Sequence, residues 1–275
     1  MNAALEPLAA RYASWLGLPA ALTADTSEEE PGQVRAMPVV LRIERGEPPA
    51  RTALLEAAAA AALAVCLDPR GEPGGDWHQP VAAWIDGRIR KVARRARGAH
   101  WQAVQQQPGV TVTVDGAQAR ALVPLRVADT PKAVSRLQIS GSELPADEPG
   151  PVRAGTPSLL LNPTVPMTVG KAAAQVGHGT MILASLLGDA ALAYWAERGL
   201  RCAVRTPSLG RWHELHPGDD PAGAWQRNRV VAVRDAGFTE VAPGTVTVLA
   251  QWSPELGHPE QGHPEQALPE QEDGR

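Results

Sequence analysis

The sequence has few aromatic residues and few cysteines. Aromatic residues make up 4% of the chain and include a single Phe, so we expect lean cores packed mainly with Ala, Val and Leu. The two cysteines, Cys66 and Cys202, lie far apart and match neither a disulfide framework nor a metal-ligand spacing. We therefore expect both thiols to be reduced and buried, as in a cytosolic protein.

Long hydrophobic runs are also missing. The most apolar stretch, residues 57–67, is mostly alanine and is too short to cross a bilayer. The N-terminus lacks the basic residues, the apolar run and the small-residue cleavage site of a signal peptide. These absences predict a soluble cytoplasmic protein with no membrane partner.

Two widespread ligand-binding motifs are incomplete. A P-loop needs a glycine where Val165 stands, and it needs a Ser or Thr where Ala172 follows the lysine. His213 and His216 lack the i,i+4 spacing of zinc ligands on a helix and have no cysteine partners. We therefore expect neither a P-loop nucleotide site nor a zinc site.

Charge is distributed unevenly along the chain. The net charge is −4, but residues 253–275 alone contain six acidic residues and one arginine. Four more acidic residues, Asp25, Glu28, Glu29 and Glu30, lie in a linker near the N-terminus. The remaining segments carry a positive balance, so the composition is compatible with an anionic partner.

Four segments follow from the hydrophobic pattern and from the positions of Gly and Pro. The pattern of residues 1–37 predicts a helix followed by an acidic linker. The pattern of residues 38–145 predicts a small α+β domain that contains a hairpin with an Asp-Gly turn. In residues 156–252 strands alternate with helices, which predicts an α/β layer structure with a largely parallel sheet and an antiparallel last strand pair. Residues 253–275 repeat Gly-His-Pro-Glu-Gln and predict a disordered tail.

Residues 77–106 show an amphipathic pattern that predicts a helix, with apolar residues such as Ile85, Ile89 and Val92 on one face. The rest of this predicted helix is strongly basic. Its basic residues are Arg88, Arg90, Lys91, Arg94, Arg95 and Arg97. Two interpretations stay open, a surface that contacts phosphate groups and an ordinary solvated face.

Three polar residues share one face of a helix predicted over residues 168–187. Lys171, Gln175 and His178 lie at helical offsets of zero, four and seven, so they project from the same side. Lys171 also lies near the positive end of the helix dipole, an unfavourable position for a cation that local stability does not explain. We interpret it as a site residue, with an exposed surface lysine as the alternative. For His178 the alternative is a structural histidine in the core.

Further candidates lie in the last two strands. Asp235 follows a predicted strand, and the ligands of α/β sheets gather at such carboxyl ends. A turn aspartate that binds its own backbone is the alternative. Thr245 and Thr247 alternate with valines, so both hydroxyl groups lie on one face of the last strand, although such a pattern is also ordinary strand sequence.

Taken together, these segments resemble the type II peptidyl-tRNA hydrolase family. Residues 170–178 match its lysine-bearing helix, and residues 235–248 match its Asp-Ala-Gly loop and last strand. The resemblance covers about residues 156–252, and the chain as a whole resembles a two-domain form found in actinobacteria. It implies a three-layer α/β/α domain with a mixed four-stranded sheet, preceded here by the smaller α+β domain.

The resemblance also implies roles for individual residues. The implied catalytic residues are Lys171, Asp235 and Thr247, and the implied supporting residues are Gln175, His178, Thr239 and Thr245. In this scheme Asp235 orients or deprotonates a water molecule that attacks the ester, a role that contributes roughly 10²–10⁴-fold. Lys171 and Thr247 then stabilise the negative charge that develops on oxygen. Neither a metal ion nor a cofactor is implied.

The implied substrate is peptidyl-tRNA, and the basic segment within residues 77–106 is the candidate for holding the tRNA backbone. The alternative function is a catalytically inactive module of the same fold that binds RNA or a protein. A homodimer stays open. The sequence departs from the family pattern at Asn162, Pro163, Phe238 and Glu240.

Overall fold

The computed structural model describes residues 4–141, 143–153 and 155–252, and it contains two β-sheets with helices on both sides of each. The tail that the sequence predicts at residues 253–275 lies outside the described residues. None of the helices in the described ranges is long and apolar enough to span a membrane.

The first half of the chain contains six helices and five strands within its described residues. In chain order these are α1 (Glu6–Gly17), α2 (Ala20–Thr23), β1 (Arg35–Arg42), α3 (Arg51–Leu67), α4 (His78–Ile85), β2 (Lys91–Ala96), α5 (Gly98–Gln105), β3 (Gly109–Val114), β4 (Ala117–Leu122), β5 (Leu125–Arg126) and α6 (Lys132–Ser135). Short 3₁₀ turns lie at Pro31–Gln33, Pro69–Gly71 and Val127–Asp129.

The second half contains four helices and four strands within its described residues. They are β6 (Ser158–Leu161), α7 (Val169–Ser185), α8 (Asp189–Glu197), β7 (Ala203–Arg205), α9 (Leu209–Leu215), α10 (Pro221–Asn228), β8 (Val230–Arg234) and β9 (Val246–Gln251).

The two sheets have the same topology. The strand order is β2-β1-β4-β3 in the first sheet and β7-β6-β9-β8 in the second. In each sheet the first two strands along the chain pair in parallel, and the other neighbours in this order are antiparallel. A helix of 17 residues follows the first strand in both halves, α3 in one and α7 in the other. The chain therefore contains two copies of one topology, and the short strand β5 is added to β1 in the first.

This topology revises the expected sheet. Among the described strands, only β6 and β7 form a parallel pair in the second sheet, so the expectation of a largely parallel sheet is wrong. The mixed four-stranded sheet and the antiparallel β8–β9 pair are confirmed. The first half, expected as a smaller α+β domain, repeats the topology of the second.

Helices α3 and α7 pack against each other between the two sheets. Side chains alternate along each strand, so Val39 faces the core that holds α3 and α7, while Val40 faces the outer core under α5 and α6. In the second sheet Val248 faces α7, and Leu249 faces the outer core under α9 and α10. The second half thus forms the expected three-layer α/β/α arrangement, and its inner helix layer is shared with the first half.

Small residues allow α3 and α7 to approach closely. A Cβ atom placed on Gly177 would lie 3.1 Å from the Cβ of Ala62 in α3. The Thr180 hydroxyl donates a hydrogen bond of 3.1 Å to the Ala59 carbonyl across the same contact. The alanine-rich composition of α3 therefore lets both halves contribute to one continuous core.

The prediction of a single helix over residues 77–106 is wrong. The structure places α4, the strand β2 and α5 in this range. Ile89 has a φ of 46° in the turn before β2, which a continuous helix would not allow. β2 then pairs with β1 along its whole length, so long-range strand pairing overrides the local helical pattern. The basic residues at 88–97 consequently do not lie along one helix face.

Helix α1 covers the outer edge of the second sheet. The backbone N–H of Ala232 in β8 donates to the Tyr12 hydroxyl at 2.8 Å. The indole N–H of Trp15 donates to the Arg234 carbonyl at 3.2 Å, and the Arg234 guanidinium donates to the Leu16 carbonyl at 2.7 Å. These bonds fix the end of β8 directly before Asp235.

Candidate active site

Lys171 and Asp235 form a buried ion pair. Lys171 lies in the first turn of α7, and Asp235 immediately follows β8. The Lys171 Nζ is 2.6 Å from the Asp235 Oδ2, and the two side chains are 7% and 8% exposed. Burial of such a pair costs desolvation free energy, unless the remaining polar atoms of both groups are also hydrogen-bonded.

Three further bonds complete this pair. The backbone N–H of Gly237 donates to Asp235 Oδ1 at 2.7 Å, and the Gln175 amide donates to Asp235 Oδ2 at 2.7 Å. The Lys171 ammonium also donates to the Thr239 hydroxyl at 3.0 Å. Gly237 has a φ of 84°, and a Cβ there would lie 2.4 Å from Pro243, so the loop conformation requires glycine. The loop after β8 and the first turns of α7 together build the site.

Thr247 reaches the ion pair through Gln175. Its hydroxyl is fully buried and donates to the Gln175 Oε1 at 2.5 Å. This bond fixes which way the Gln175 amide faces, so that its N–H group points at Asp235. The family resemblance implies that Thr247 stabilises charge on the reacting oxygen, and in the structure its hydroxyl donates to Gln175. The hydroxyl of Thr245 donates instead to the Ala242 carbonyl at 2.7 Å within the loop.

Glu240, a departure from the family pattern, ties the loop to α7. Its carboxylate accepts hydrogen bonds from the Thr168 N–H at 3.0 Å and from the Thr168 hydroxyl at 2.7 Å. Thr168 is the N-cap of α7, and its Oγ1 accepts the N–H of Lys171 at 3.1 Å. An acidic group is favourable at a helix N-terminus. Because Glu240 lies 72 residues from Thr168, no local spacing in the sequence signals this contact.

His178 lies outside this network and contacts the first half of the chain. Its Nδ1 is 3.1 Å from the Nζ of Lys91 in β2. Burial, and then the nearby Lys91 and Lys171 charges, hold the pKa of His178 well below its usual value, so the ring is neutral and Nδ1 accepts the bond. Lys91 is half-buried, and desolvation of its ammonium group lowers the pKa of Lys91 to about 7.

Arg94, Arg95 and Arg97, which were also predicted to bind tRNA, lie in β2 and directly after it. Arg94 donates to the Leu137 carbonyl at 2.8 Å, and the side chain of Arg95 donates to Gln138. Arg97 precedes α5 at its N-cap. The contacts of Arg94 and Arg95 hold the segment after α6 against β2.

Arg88 and Arg90 lie just before β2 and share one carboxylate. Arg90 donates to Glu29 with both terminal nitrogens, at 2.8 and 2.5 Å, and the Arg88 Nε is 3.0 Å from the same carboxylate. Hydrogen bonding to Arg90 lowers the pKa of Glu29. The acidic linker predicted from the sequence therefore contacts two of the predicted tRNA-binding arginines.

The first copy of the topology lacks the side chains of the site. At the third, seventh and tenth positions of their helices, α3 has Ala53, Ala57 and Ala60 where α7 has Lys171, Gln175 and His178. Asp115 follows β3 as Asp235 follows β8, but it has no lysine of α3 to pair with. Among the described residues, no three His, Cys, Asp or Glu side chains come together as metal ligands.

The structure thus presents a mixed α/β sheet with a Lys–Asp pair at its edge, held by Gln and Thr. The family model described as Peptidyl-tRNA hydrolase PTH2 matches residues 158–254, which include every member of this network. No solved structure matches the chain. The resemblance to the type II peptidyl-tRNA hydrolases is therefore confirmed for the C-terminal portion, where it supports a peptidyl-tRNA hydrolase-like function at the level of the family.

Proposed function

We propose that the protein hydrolyses the ester bond of peptidyl-tRNA in the cytoplasm and thereby returns free tRNA and peptide for translation. The observation that carries this proposal is the buried Lys171–Asp235 pair inside the segment that matches the family. A buried ion pair is weak evidence of a contribution to stability, because apolar residues of similar volume often serve as well. Its presence at a sheet edge is better explained by chemistry.

Asp235 has the acceptor capacity to hold the attacking water. Its Oδ2 accepts bonds from Lys171 and Gln175, and its Oδ1 accepts the Gly237 N–H. A carboxylate oxygen has two lone pairs, so Oδ1 can also accept a proton from water. Asp235 is therefore the general base of the proposed reaction.

Lys171 has an N–H group that can stabilise the negative charge that develops on the substrate. An ammonium group has three N–H bonds, and in the structure Asp235 and Thr239 accept two of them. The third can donate to the carbonyl oxygen of the substrate, on which charge accumulates in the tetrahedral intermediate. Gln175 and Thr247 hold Asp235 in position for this step.

The reaction balances without a cofactor. The water oxygen bonds to the ester carbonyl carbon while Asp235 takes one water proton. The bond from that carbon to the ribose oxygen then breaks, and the ribose oxygen takes the proton from Asp235. The products are a peptide acid, which ionises at neutral pH, and a tRNA with a free terminal hydroxyl.

The test is hydrolysis of peptidyl-tRNA by the purified full-length chain and by Lys171→Met and Asp235→Asn variants. Each variant is expected to lose at least tenfold in kcat/KM, by removal of one reacting group. Asp115→Asn is the matched control, since Asp115 occupies the corresponding position in the first copy, and it should keep wild-type activity. Wild-type turnover in both site variants would overturn the proposal. So would a folded wild-type protein that binds tRNA but does not hydrolyse peptidyl-tRNA. The latter result would support the inactive RNA-binding module.

A further inference from the structure

Phe238 occupies a specific place in the catalytic loop. It lies between Gly237, whose N–H binds Asp235, and Thr239, whose hydroxyl accepts the Lys171 ammonium. Phe238 is the single Phe of the chain, and the residue is 45% exposed to solvent. An exposed aromatic residue therefore lies in the chain directly between two residues that hydrogen-bond to the Lys171–Asp235 pair.

Two arginines from the first half of the chain flank this ring. The guanidinium carbon of Arg90 lies 4.8 Å from the ring centroid of Phe238, and that of Arg88 lies 6.0 Å from it. Arg88 also lies 5.8 Å from the ring of Trp15. The two arginines and Glu29 together leave one excess positive charge beside the exposed ring.

Glu29 determines how these arginines are presented. Both terminal nitrogens of Arg90 donate to Glu29, which fixes the orientation of its guanidinium and leaves three of its five N–H bonds. Arg88 likewise donates to the Thr23 carbonyl at 2.8 Å in addition to Glu29. A ligand can therefore meet the exposed Phe238 ring for stacking, together with the positive charge and the remaining N–H bonds of the arginines beside it.

We propose that Phe238, Arg88 and Arg90 form the binding site for the unpaired 3′-terminal nucleotides of the tRNA. This inference rests on the proposed function, because the scissile ester is attached to the terminal ribose. With the ester at Lys171 and Asp235, the terminal base lies within a few ångströms of the Phe238 loop. Unpaired bases are bound by stacking on aromatic rings and on arginine planes, with positive charge nearby for the backbone. The site is composite, since the ring comes from one half of the chain and the arginines from the other.

The experiment is a cycle that combines protein variants with shortened tRNA. Uncharged tRNA, and the same tRNA without its unpaired 3′ nucleotides, are titrated against the full-length wild type and Phe238→Ala. Shortening should weaken wild-type binding by about five- to a hundredfold, the range that base-aromatic stacking gives. Phe238→Ala should bind intact tRNA about as weakly as the wild type binds shortened tRNA, and shortening should have little further effect on this variant.

Three further variants sharpen the test. Phe238→Trp should restore binding of intact tRNA, since indole also stacks. Arg90→Lys keeps the charge and loses the planar group, so its affinity should fall without a change in salt dependence. Leu209→Ala is the control, because Leu209 is a similarly exposed apolar residue of the same half at 48% exposure, and it should bind like the wild type. Thermal melts show whether each variant is folded.

The outcomes separate this inference from the proposed function. If shortening weakens the wild type and Phe238→Ala equally while hydrolysis is normal, the stacking site is wrong and the hydrolase proposal stands. If Phe238→Ala abolishes the effect of shortening but no hydrolysis occurs with the wild type, the binding site stands and the hydrolase proposal falls. Equal affinity of the wild type for intact and shortened tRNA also contradicts the stacking site.

Discussion

The ammonium nitrogen of Lys171 lies 2.6 Å from a carboxylate oxygen of Asp235, and the two residues are 64 positions apart in the chain. Two elements bring them together, the first turn of α7 and the loop after β8. Each group also has a second partner that fixes its orientation, Thr239 for the lysine and Gln175 for the aspartate. The pair is therefore held rigidly before any substrate arrives, which is what a preorganised site requires.

The buried ion pair predicts an asymmetry in stability. Asp235→Leu should lower the free energy of unfolding by about 3–5 kcal/mol, because it leaves the Lys171 charge buried without a counter-charge. The double variant Lys171→Met, Asp235→Leu should be more stable than either single variant. Urea unfolding of the four proteins measures this. Additive effects of the two changes would contradict a buried, coupled pair.

Thr247 is expected to act on the reaction through Gln175. Thr247→Val removes the hydroxyl that fixes the Gln175 amide, so Asp235 loses its orientation and kcat should fall by about ten- to a hundredfold. KM should change little, and Thr247→Ser should restore activity because it keeps the hydroxyl. Thr180→Val is the control, since Thr180 is an equally buried threonine whose bond lies outside the site. A kcat that falls equally in both Val variants would argue for a general packing defect.

The lowered pKa of Lys91 predicts that the stability of the protein depends on pH. Its pKa is lowered to about 7 in the folded protein, whereas an unfolded lysine has a pKa of about 10.4. Between these values the unfolded state binds more protons, so the free energy of unfolding should rise as the pH increases from about 7 to about 10. Lys91→Met should flatten this rise, and Lys132→Met, which alters an exposed lysine, should not. Urea midpoints at neutral and alkaline pH measure the difference, and parallel curves for the wild type and Lys91→Met would show that the Lys91 ammonium is not buried.

The close contact of α3 with α7 predicts that both halves unfold together. Gly177→Val would force a branched side chain against Ala62 and should destabilise the protein by about 1–3 kcal/mol, as overpacking does. Gly210→Val in α9 is the control, because a Cβ on Gly210 meets nothing within 4 Å. Since one core spans both halves, a single unfolding transition is expected for the wild type. Two separate transitions, with only one shifted by Gly177→Val, would show that the halves unfold independently.

The sequence by itself determined the elements whose signals are local. The helix α7 follows a Thr cap and keeps Lys171 and Gln175 on one face, and both features can be read from spacing of three and four residues. The β3–β4 hairpin was predictable from its Asp-Gly turn, where Asp115 and Gly116 both have positive φ. The candidate site residues Lys171, Asp235 and Gln175 were predicted from their motifs, and the structure brings their side chains together.

The tertiary structure alone decided the features that depend on distant partners. Residues 91–96 have a local pattern compatible with a helix, and they become a strand because β1 offers a full set of backbone hydrogen bonds. The repeated topology left no motif in the sequence, since α3 has alanine where α7 has the site. Thr247 has an ordinary strand context, and the fold alone places its hydroxyl behind Gln175. Likewise Phe238 meets Arg88 and Arg90 because the two halves share one core, a contact that no local spacing encodes.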